Sequence, residues 1–431
     1  VSTSPRNTLP LGFLWSSVTA GIKASGKPDV ALAACDGEAT AAAMFTSNQV
    51  VAAPVIVGRR HLAATGNRIK GVLVNAGNAN CATGEPGIDA CHRSCVALAD
   101  ALGCVFDEIF PSSTGIIGVP LPVEKLIAAA PLAKAALGNT PEHALAFATA
   151  ILTTDTRVKI AQASFEIDID GQPRTVSLFG CCKGAGMIGP QLVGNQAVAA
   201  APHATMLAYL FTDVAASAEH LQAMLAAAVD TSFNAVSIDG DMSTNDTVLL
   251  LASGQSGVPL TPPGTEADTA ATSAFQAALD EVCASLAYQI VDDGEGVTHV
   301  IALEITGAAT DADAMAVART IANSPLCKTA WSSADPNWGR LLAAAGRAGV
   351  AFDPANVTIH IAGLPVFAFG VRAPGYDEAA THAAMSARAY RITIDLGVSR
   401  GLNSETAHGR ARFVTCDLTH DYVSINADYS T

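Results

Sequence analysis

A chain of 431 residues, half of them hydrophobic and only 15% charged, has ample material for a large buried core and is globular rather than disordered. Its 39 acidic against 24 basic residues leave a net charge of −15. That charge repels nucleic-acid phosphates and anionic lipid, so small molecules and protein subunits are the expected partners, with no nucleic acid and no membrane. No uninterrupted apolar run of about 18 residues is present.

The opening Val1-Ser2-Thr3-Ser4-Pro5-Arg6-Asn7 has no apolar h-region, so no secretory signal is expected and a cytoplasmic enzyme fits best. The first clear element is helical: Asp89 as N-cap, then Cys91, Cys95, Leu98 and Leu102 on one stripe, closed by Gly103. Both thiols read as small hydrophobes, and with no second cysteine pair at zinc-like spacing, at Cys181-Cys182 or elsewhere, no metal site is expected. Pro111-Ser112-Ser113-Thr114-Gly115-Ile116-Ile117-Gly118 follows; taken alone, its Ser-Ser-Thr-Gly is a turn. Phe165, Ile167 and Ile169 alternate with polar residues, Asp170-Gly171 offers a hairpin turn, and Val176 and Leu178 resume the alternation, which predicts two antiparallel strands. The second runs into Cys181-Cys182-Lys183, placing the lysine at a strand end ahead of the glycine-rich Lys183–Pro190 segment.

Further on, Asp239–Thr247 sets many polar side chains among turn formers and is either scaffold or support behind a site, with scaffold favoured because nothing in its chemistry demands contact with a substrate. A metal at Asp239, Asp241 and Asp246 is not expected, since the calcium-loop spacing is not met. Gly254 to Asp268, with Pro259, Pro262 and Pro263, is a loop. Phe275, Ala278, Leu279, Val282 and Leu286 make a helical stripe, and a second helix is predicted from Asp313 through Met315, Val317 and Ile321. Strands are predicted at Val357–Ile361, Tyr390–Leu396 and Arg412–Cys416. Interleaved helical and strand periods make this a mixed α/β (α+β) protein, with two lobes expected and its alanine richness ascribed to helices.

The chemistry concentrates at Ala204-Thr205. A threonine hydroxyl is a weak nucleophile until its own α-amine stands beside it as base, and an internal threonine gains that amine only if the chain is cut before it. The sequence thus invites a reading as a self-processing precursor, against the plain alternative of a capping or buried threonine.

The collinear segments Pro111–Gly118, Leu152-Thr153-Thr154-Asp155-Thr156, Lys183–Pro190, Ala204–Leu207, Asp239–Thr247, Asp293-Gly294-Glu295-Gly296, Asn323–Leu326, Asp335–Arg340 and Asn426–Thr431 together resemble the ornithine acetyltransferase family, the ArgJ-like glutamate N-acetyltransferases, over nearly the whole chain. The resemblance implies a layered helix-sheet-sheet-helix sandwich of the ArgJ/DmpA type, shared with certain N-terminal-nucleophile aminopeptidases. It implies cleavage between Ala204 and Thr205 into an α fragment, 1–204, and a β fragment, 205–431, assembled as an α2β2 heterotetramer. It makes Thr205 the nucleophile, Thr114 and Gly115 the oxyanion donors through a side chain and a backbone N–H, and Thr153, Lys183, Thr205, Glu295, Asn426 and Thr431 the substrate-binding residues. Amino-acid substrates suit that set, because an α-carboxylate calls for a cation such as Lys183 and the distal ammonium of ornithine for an anion such as Glu295.

The implied reaction moves acetyl from N2-acetyl-L-ornithine to L-glutamate by ping-pong kinetics in arginine biosynthesis. No resident cofactor is implied, although acetyl-CoA serves some family members as co-substrate. One departure stands out: Val193 to His203, eleven residues, intervene ahead of the scissile bond where the family has almost none. A longer loop there either relaxes the strain that drives self-cleavage or loops out into solvent. Two rivals follow, an amidase or aminopeptidase with the same nucleophile and an uncleaved, non-catalytic binding protein.

Overall fold

The computed structural model describes residues 9–169, 171–194, 206–261, 270–398 and 408–428. These fall into two compact units, one formed by the residues up to Asn234 together with Asp241–Ile290, the other by Ala235–Gly240 and the residues from Val291 on.

The strands are β1 Phe13–Val18, β2 Val30–Thr46, β3 Arg68–Asn78, β4 Ile109–Ile116, β5 Lys159–Ile169, β6 Gln172–Lys183, β7 Leu192–Gly194, β8 Leu207–Thr212, β9 Val236–Ser237 and β10 Thr247–Ala252. All but β9 belong to the sheet of the first unit, whose order is β4-β3-β2-β10-β8-β6-β5 with β1 and β7 also paired to β2. The β5–β6 hairpin is the one the alternation predicts, in unbroken antiparallel register from Ile169↔Gln172 to Lys159↔Cys182, and Lys183 ends β6. Asp170 lies outside the described residues.

Period two divides β2 between two cores. Ala31, Ala33 and Cys35 face an aromatic cluster in which Trp15 meets Phe179 and Phe211 edge-on at 5.8 and 5.5 Å. Val30 and Leu32 face Leu73 and the helices α1 Ala53–Ala64, α2 Gly84–Leu102 and α3 Val123–Ala135. Each large side chain buried this way contributes about 2 kcal/mol. β2, over which the sequence reading places no element, holds seven alanines in a strand. They are small enough to admit bulky partners from both faces.

Cys91 and Cys95 pack in the second core as expected, and Gly103 closes α2 in the left-handed region at φ 73°. The helix nevertheless begins before Asp89, at Gly84, with Thr83 in the cap position. Two further helices are α4 Pro141–Ala150, whose Phe147 stacks edge-on against Tyr209 at 5.5 Å, and α5 Ala218–Asp230. α6, Ala270–Asp292, carries the predicted Phe275-to-Leu286 stripe, all of it buried.

The second unit has its own sheet, β14-β13-β12-β15-β11-β16-β9, from β11 Val300–Ala308, β12 Thr358–Ile361, β13 Leu364–Ala368, β14 Val371–Arg372, β15 Ala389–Asp395 and β16 Gly409–Cys416. The three strands predicted here are β12, β15 and β16. Ile301, Leu303 and Ile305 of β11, Ile392 and Ile394 of β15 and Phe413 of β16 pack against Val317 and Ile321 of α7, Asp311–Ala322. Thr310 caps α7 by accepting the Asp313 N–H at 3.1 Å. Among the described residues no helix is long and apolar enough to cross a membrane. The two sheets and their helices make the architecture a mixed α+β one.

Candidate active site

In the first unit Thr114, Gly115 and Lys183 stand at strand ends, and Thr153 lies in the connection from α4 to β5. β4 runs parallel to β3 and brings Thr114, 1% exposed, level with Ala76. Gly115 adopts φ +133°, and a Cβ built there would lie 2.3 Å from the carbonyl carbon of Gly77. Only glycine permits that approach, which leaves the Gly115 backbone lodged against β3 just after a buried hydroxyl. A hydroxyl followed by a glycine N–H supplies the donor types that oxyanion stabilisation uses.

Thr153 and Lys183 meet at a carboxylate the sequence reading did not single out. Asp155, its side chain fully buried, accepts the Thr153 N–H at Oδ2 (3.1 Å) and the Gly184 N–H at Oδ1 (2.6 Å). Its Oδ1 also lies 2.6 Å from Nζ of the fully buried Lys159, and its Oδ2 3.8 Å from Nζ of Lys183. Burial by itself would raise the Asp155 carboxyl, but the ammonium groups of Lys183 and Lys159 and the hydrogen bonds of Lys159 and Gly184 outweigh it and hold the group down at about 2. Two ammonium groups beside one buried carboxylate are the residue types that recognition of an incoming carboxylate calls for.

A third cation adjoins them. Lys23, between β1 and β2, passes beside Gly77, whose missing Cβ would lie 3.3 Å from the Lys23 nitrogen. Its Nζ donates to the carbonyls of Pro28 and Ala150, both at 2.8 Å, and so reaches the end of α4 just ahead of Thr153. Burial pushes its ammonium down to about 8, Asp29 opposing and Lys183 adding to the effect. Neither Lys23 nor Lys159 carried a sequence signal beyond the Asp155/Lys159 spacing of four.

Ala204 and Thr205 lie outside the described residues. The residue bonded to Thr205, Met206, is buried at the head of β8, and its N–H is accepted by Asp246 Oδ1 at 2.7 Å. Asp246 is buried too. Burial pushes its carboxyl up to about 7 against the Met206 and Ser243 hydrogen bonds and the charge of Lys183.

In the second unit Asn426, on the helix His420–Asp428, donates from Nδ2 to Glu295 Oε2 at 2.9 Å, bringing two predicted substrate residues together. The helix comes this close because residue 296 is a glycine at φ +68°, where a Cβ would lie 2.5 Å from the Tyr422 nitrogen. Tyr422 OH donates to Asp239 Oδ2 at 3.2 Å, which ties the front of the Asp239–Thr247 segment to the same helix. Thr431 lies outside the described residues. Among the described residues no group of three or more His, Cys, Asp or Glu side chains is placed to hold a metal ion.

The family model described as the ArgJ family matches residues 14–431. The arginine biosynthesis bifunctional protein ArgJ of Thermosynechococcus vestitus is 42% identical, over 98% of this chain and 97% of its own. That of Thermus thermophilus is 42% identical, over 98% and 99%. The solved structure of arginine biosynthesis bifunctional protein argJ from Bacillus halodurans is 36% identical over 51% of this chain and 98% of its own, with a TM-score of 0.47. With a family match running from β1 to the last residue and relatives aligned at full length, the chain belongs to the ArgJ family.

Proposed function

We propose that this ArgJ-family acyltransferase cuts itself between Ala204 and Thr205 and then carries acetyl on the Thr205 hydroxyl from N2-acetyl-L-ornithine to L-glutamate, in arginine biosynthesis. In the cut, the hydroxyl attacks the Ala204 carbonyl carbon, the C–N bond breaks as its nitrogen gains the hydroxyl proton, and water hydrolyses the ester. Fragment 1–204 is left with a carboxylate and fragment 205–431 with a free α-amine and its hydroxyl restored. In transfer, that amine takes the hydroxyl proton as the oxygen attacks the acetyl carbonyl, and the proton passes to the departing nitrogen of ornithine. Glutamate's neutral amine then attacks the acetyl ester, loses a proton to the regenerated hydroxyl, and leaves as N-acetyl-L-glutamate.

Thr114 and the Gly115 N–H receive the oxyanion in each step. Thr153, Lys183, Thr205, Glu295, Asn426 and Thr431 are the substrate-binding residues, with Lys183 matched in charge to the α-carboxylate and Glu295 to the distal ammonium. The fragments pair as α2β2 in the cytoplasm, and acetyl-CoA is a second donor.

The observation that carries the reading is the hold on the chain beside the nucleophile: the buried Asp246 carboxyl accepts the N–H of Met206, the residue bonded to Thr205, at 2.7 Å. The test is a mass spectrum of the 205–431 fragment after incubation with acetylornithine. One added acetyl group, discharged by glutamate faster than by water, is expected; discharge by water alone marks a hydrolase. Thr205→Ala is expected to abolish cutting and transfer, and retention of either overturns the mechanism. Parallel assays with acetylornithine and with acetyl-CoA, each plus glutamate, separate the two donors.

A further inference from the structure

Two successive side chains just ahead of β10 hold the backbone on either side of the proposed chemistry. Asn245 is 1% exposed and donates from Nδ2 to the carbonyls of Ala79 at 2.8 Å and Ser113 at 2.9 Å, while its Oδ1 accepts the Thr244 hydroxyl at 2.6 Å. Ser113 immediately precedes Thr114. Asp246, also 1% exposed, accepts the Met206 N–H at Oδ1 (2.7 Å) and the Ser243 N–H at Oδ2 (3.2 Å). Main-chain bonds brace the pair, with the Thr46 N–H donating to Asp246 O at 2.8 Å and the Thr247 N–H to Met206 O at 3.0 Å.

The two residue types are matched to their tasks. An amide offers two N–H groups to two carbonyls, and a carboxylate offers two acceptors to two N–H groups. Exchanged, each would set like against like in a dry place. Asp246 is moreover a poor choice for packing alone, because a buried carboxyl is costly where a hydrophobic residue of similar volume is not. Its partners include two backbone N–H groups, one of them on the residue after Thr205.

We infer that Asn245 and Asp246 form a positioning pair that sets the separation between the Thr114–Gly115 donors and Thr205, each gripping the main chain one residue away from the group it serves. Their Cα atoms are about 3.8 Å apart across one peptide bond, so the two sites are joined by the stiffest link a chain has. The inference rests on the reading of Thr205, Thr114 and Gly115 given above. It accounts for two polar residues of the Asp239–Thr247 segment, for which the sequence alone leaves scaffold and support behind the site both open and favours scaffold.

The test uses the full chain with Thr205→Ala, Asn245→Ala, Asp246→Ala and Asp246→Asn, following self-cleavage on denaturing gels, kcat and KM per cleaved molecule, and thermal melting. Both alanine variants at 245 and 246 are expected to slow cleavage and lower kcat by about tenfold or more, with KM for both substrates within about twofold of wild type, since misplacement of reacting groups acts on the chemical step. Asp246→Asn can satisfy the Met206 or the Ser243 N–H but not both, and is expected to fall between, about threefold to tenfold down in kcat. If the alanine variants do not fold, Asp246→Asn decides.

A kcat within twofold of wild type in the folded variants, a loss borne in KM, or a loss of melting temperature alone overturns the inference. Thr205→Ala separates the two readings. If it is inert while the pair variants behave as wild type, the positioning role fails alone; if it still cuts or transfers, the nucleophile reading fails and takes the pair with it.

Discussion

Replacing Asp155 by asparagine removes one negative charge from the centre of a buried cluster while keeping its shape. The carboxylate lies 2.6 Å from Lys159 Nζ and 3.8 Å from Lys183 Nζ, and the side chains of Asp155, Lys159 and Lys183 are 0%, 0% and 4% exposed. Its depression from the ordinary 3.8 to about 2 is equivalent to about 2 kcal/mol of preference for the charged form. Removing one partner of a buried pair costs about 3–5 kcal/mol, because the other charge is stranded. The expected loss is therefore about 3 kcal/mol, or a fall of roughly 5–10 °C in melting temperature for a unit of this size.

The sign with pH follows from the depressed carboxyl. Its contribution is complete above the ordinary carboxylate range and fades as pH falls from about 4 through about 2, so the gap between wild type and variant narrows over that range. Melting by calorimetry and by urea at neutral and acid pH reads both effects. Adding Lys159→Met to Asp155→Asn removes the stranded charge and is expected to recover much of the loss. A single variant that melts within about 2 °C of wild type at pH 7, or a double variant no better than the single, refutes the argument.

Thr114→Ala is expected to lower kcat by about 10²–10³ with little change in melting, the loss of one oxyanion donor; an unchanged kcat removes Thr114 from the mechanism. Gly115→Ala must bring a Cβ to 2.3 Å from the Gly77 backbone at φ +133°, whereas Gly118→Ala at φ +79° meets nothing within 4 Å. The first is expected to lose at least about 2 kcal/mol in urea melts and all transfer, the second only about 1 kcal/mol; equal losses refute the close-approach argument. Burial raises the Asp246 carboxyl to about 7, so its contribution is complete below the ordinary carboxylate range and is lost as pH rises from about 4 through about 7. Asp246→Asn should therefore gain in melting temperature relative to wild type across that window, and a constant gap counts against it.

Elements with one strong period and ordinary turn chemistry were legible in the sequence. The β5–β6 hairpin followed from alternation about Asp170-Gly171, and α6 from the Phe275-to-Leu286 stripe. The start of α2 was not, because Gly84, Pro86 and Gly87 are poor helix formers. It is set instead by close packing, in which a Cβ at Gly87 would lie 1.9 Å from Thr83 Oγ1. Nor was β2, whose alanines gain their strand place from the bulk of neighbours distant in sequence. At the site, Thr153 and Lys183 were legible as separate motifs, but the Asp155 carboxylate that joins them, and the Lys23 brought in from another loop, depend on contacts over many residues. Side-chain hydrogen bonds to remote main chain, such as those of Asn245, leave no periodic trace.

No two of the ten cysteines form a disulfide, and nine of them are buried, with Cys104 alone half-exposed. Burial pushes the Cys35 and Cys104 thiols up to about 11, far from the thiolate that reacts with electrophiles. The native protein should thus take up at most one alkylating label at neutral pH. Each further label then counts a core that has opened, so brief exposure to a maleimide, followed by peptide mapping, would time the breathing of each unit from residues that are already present.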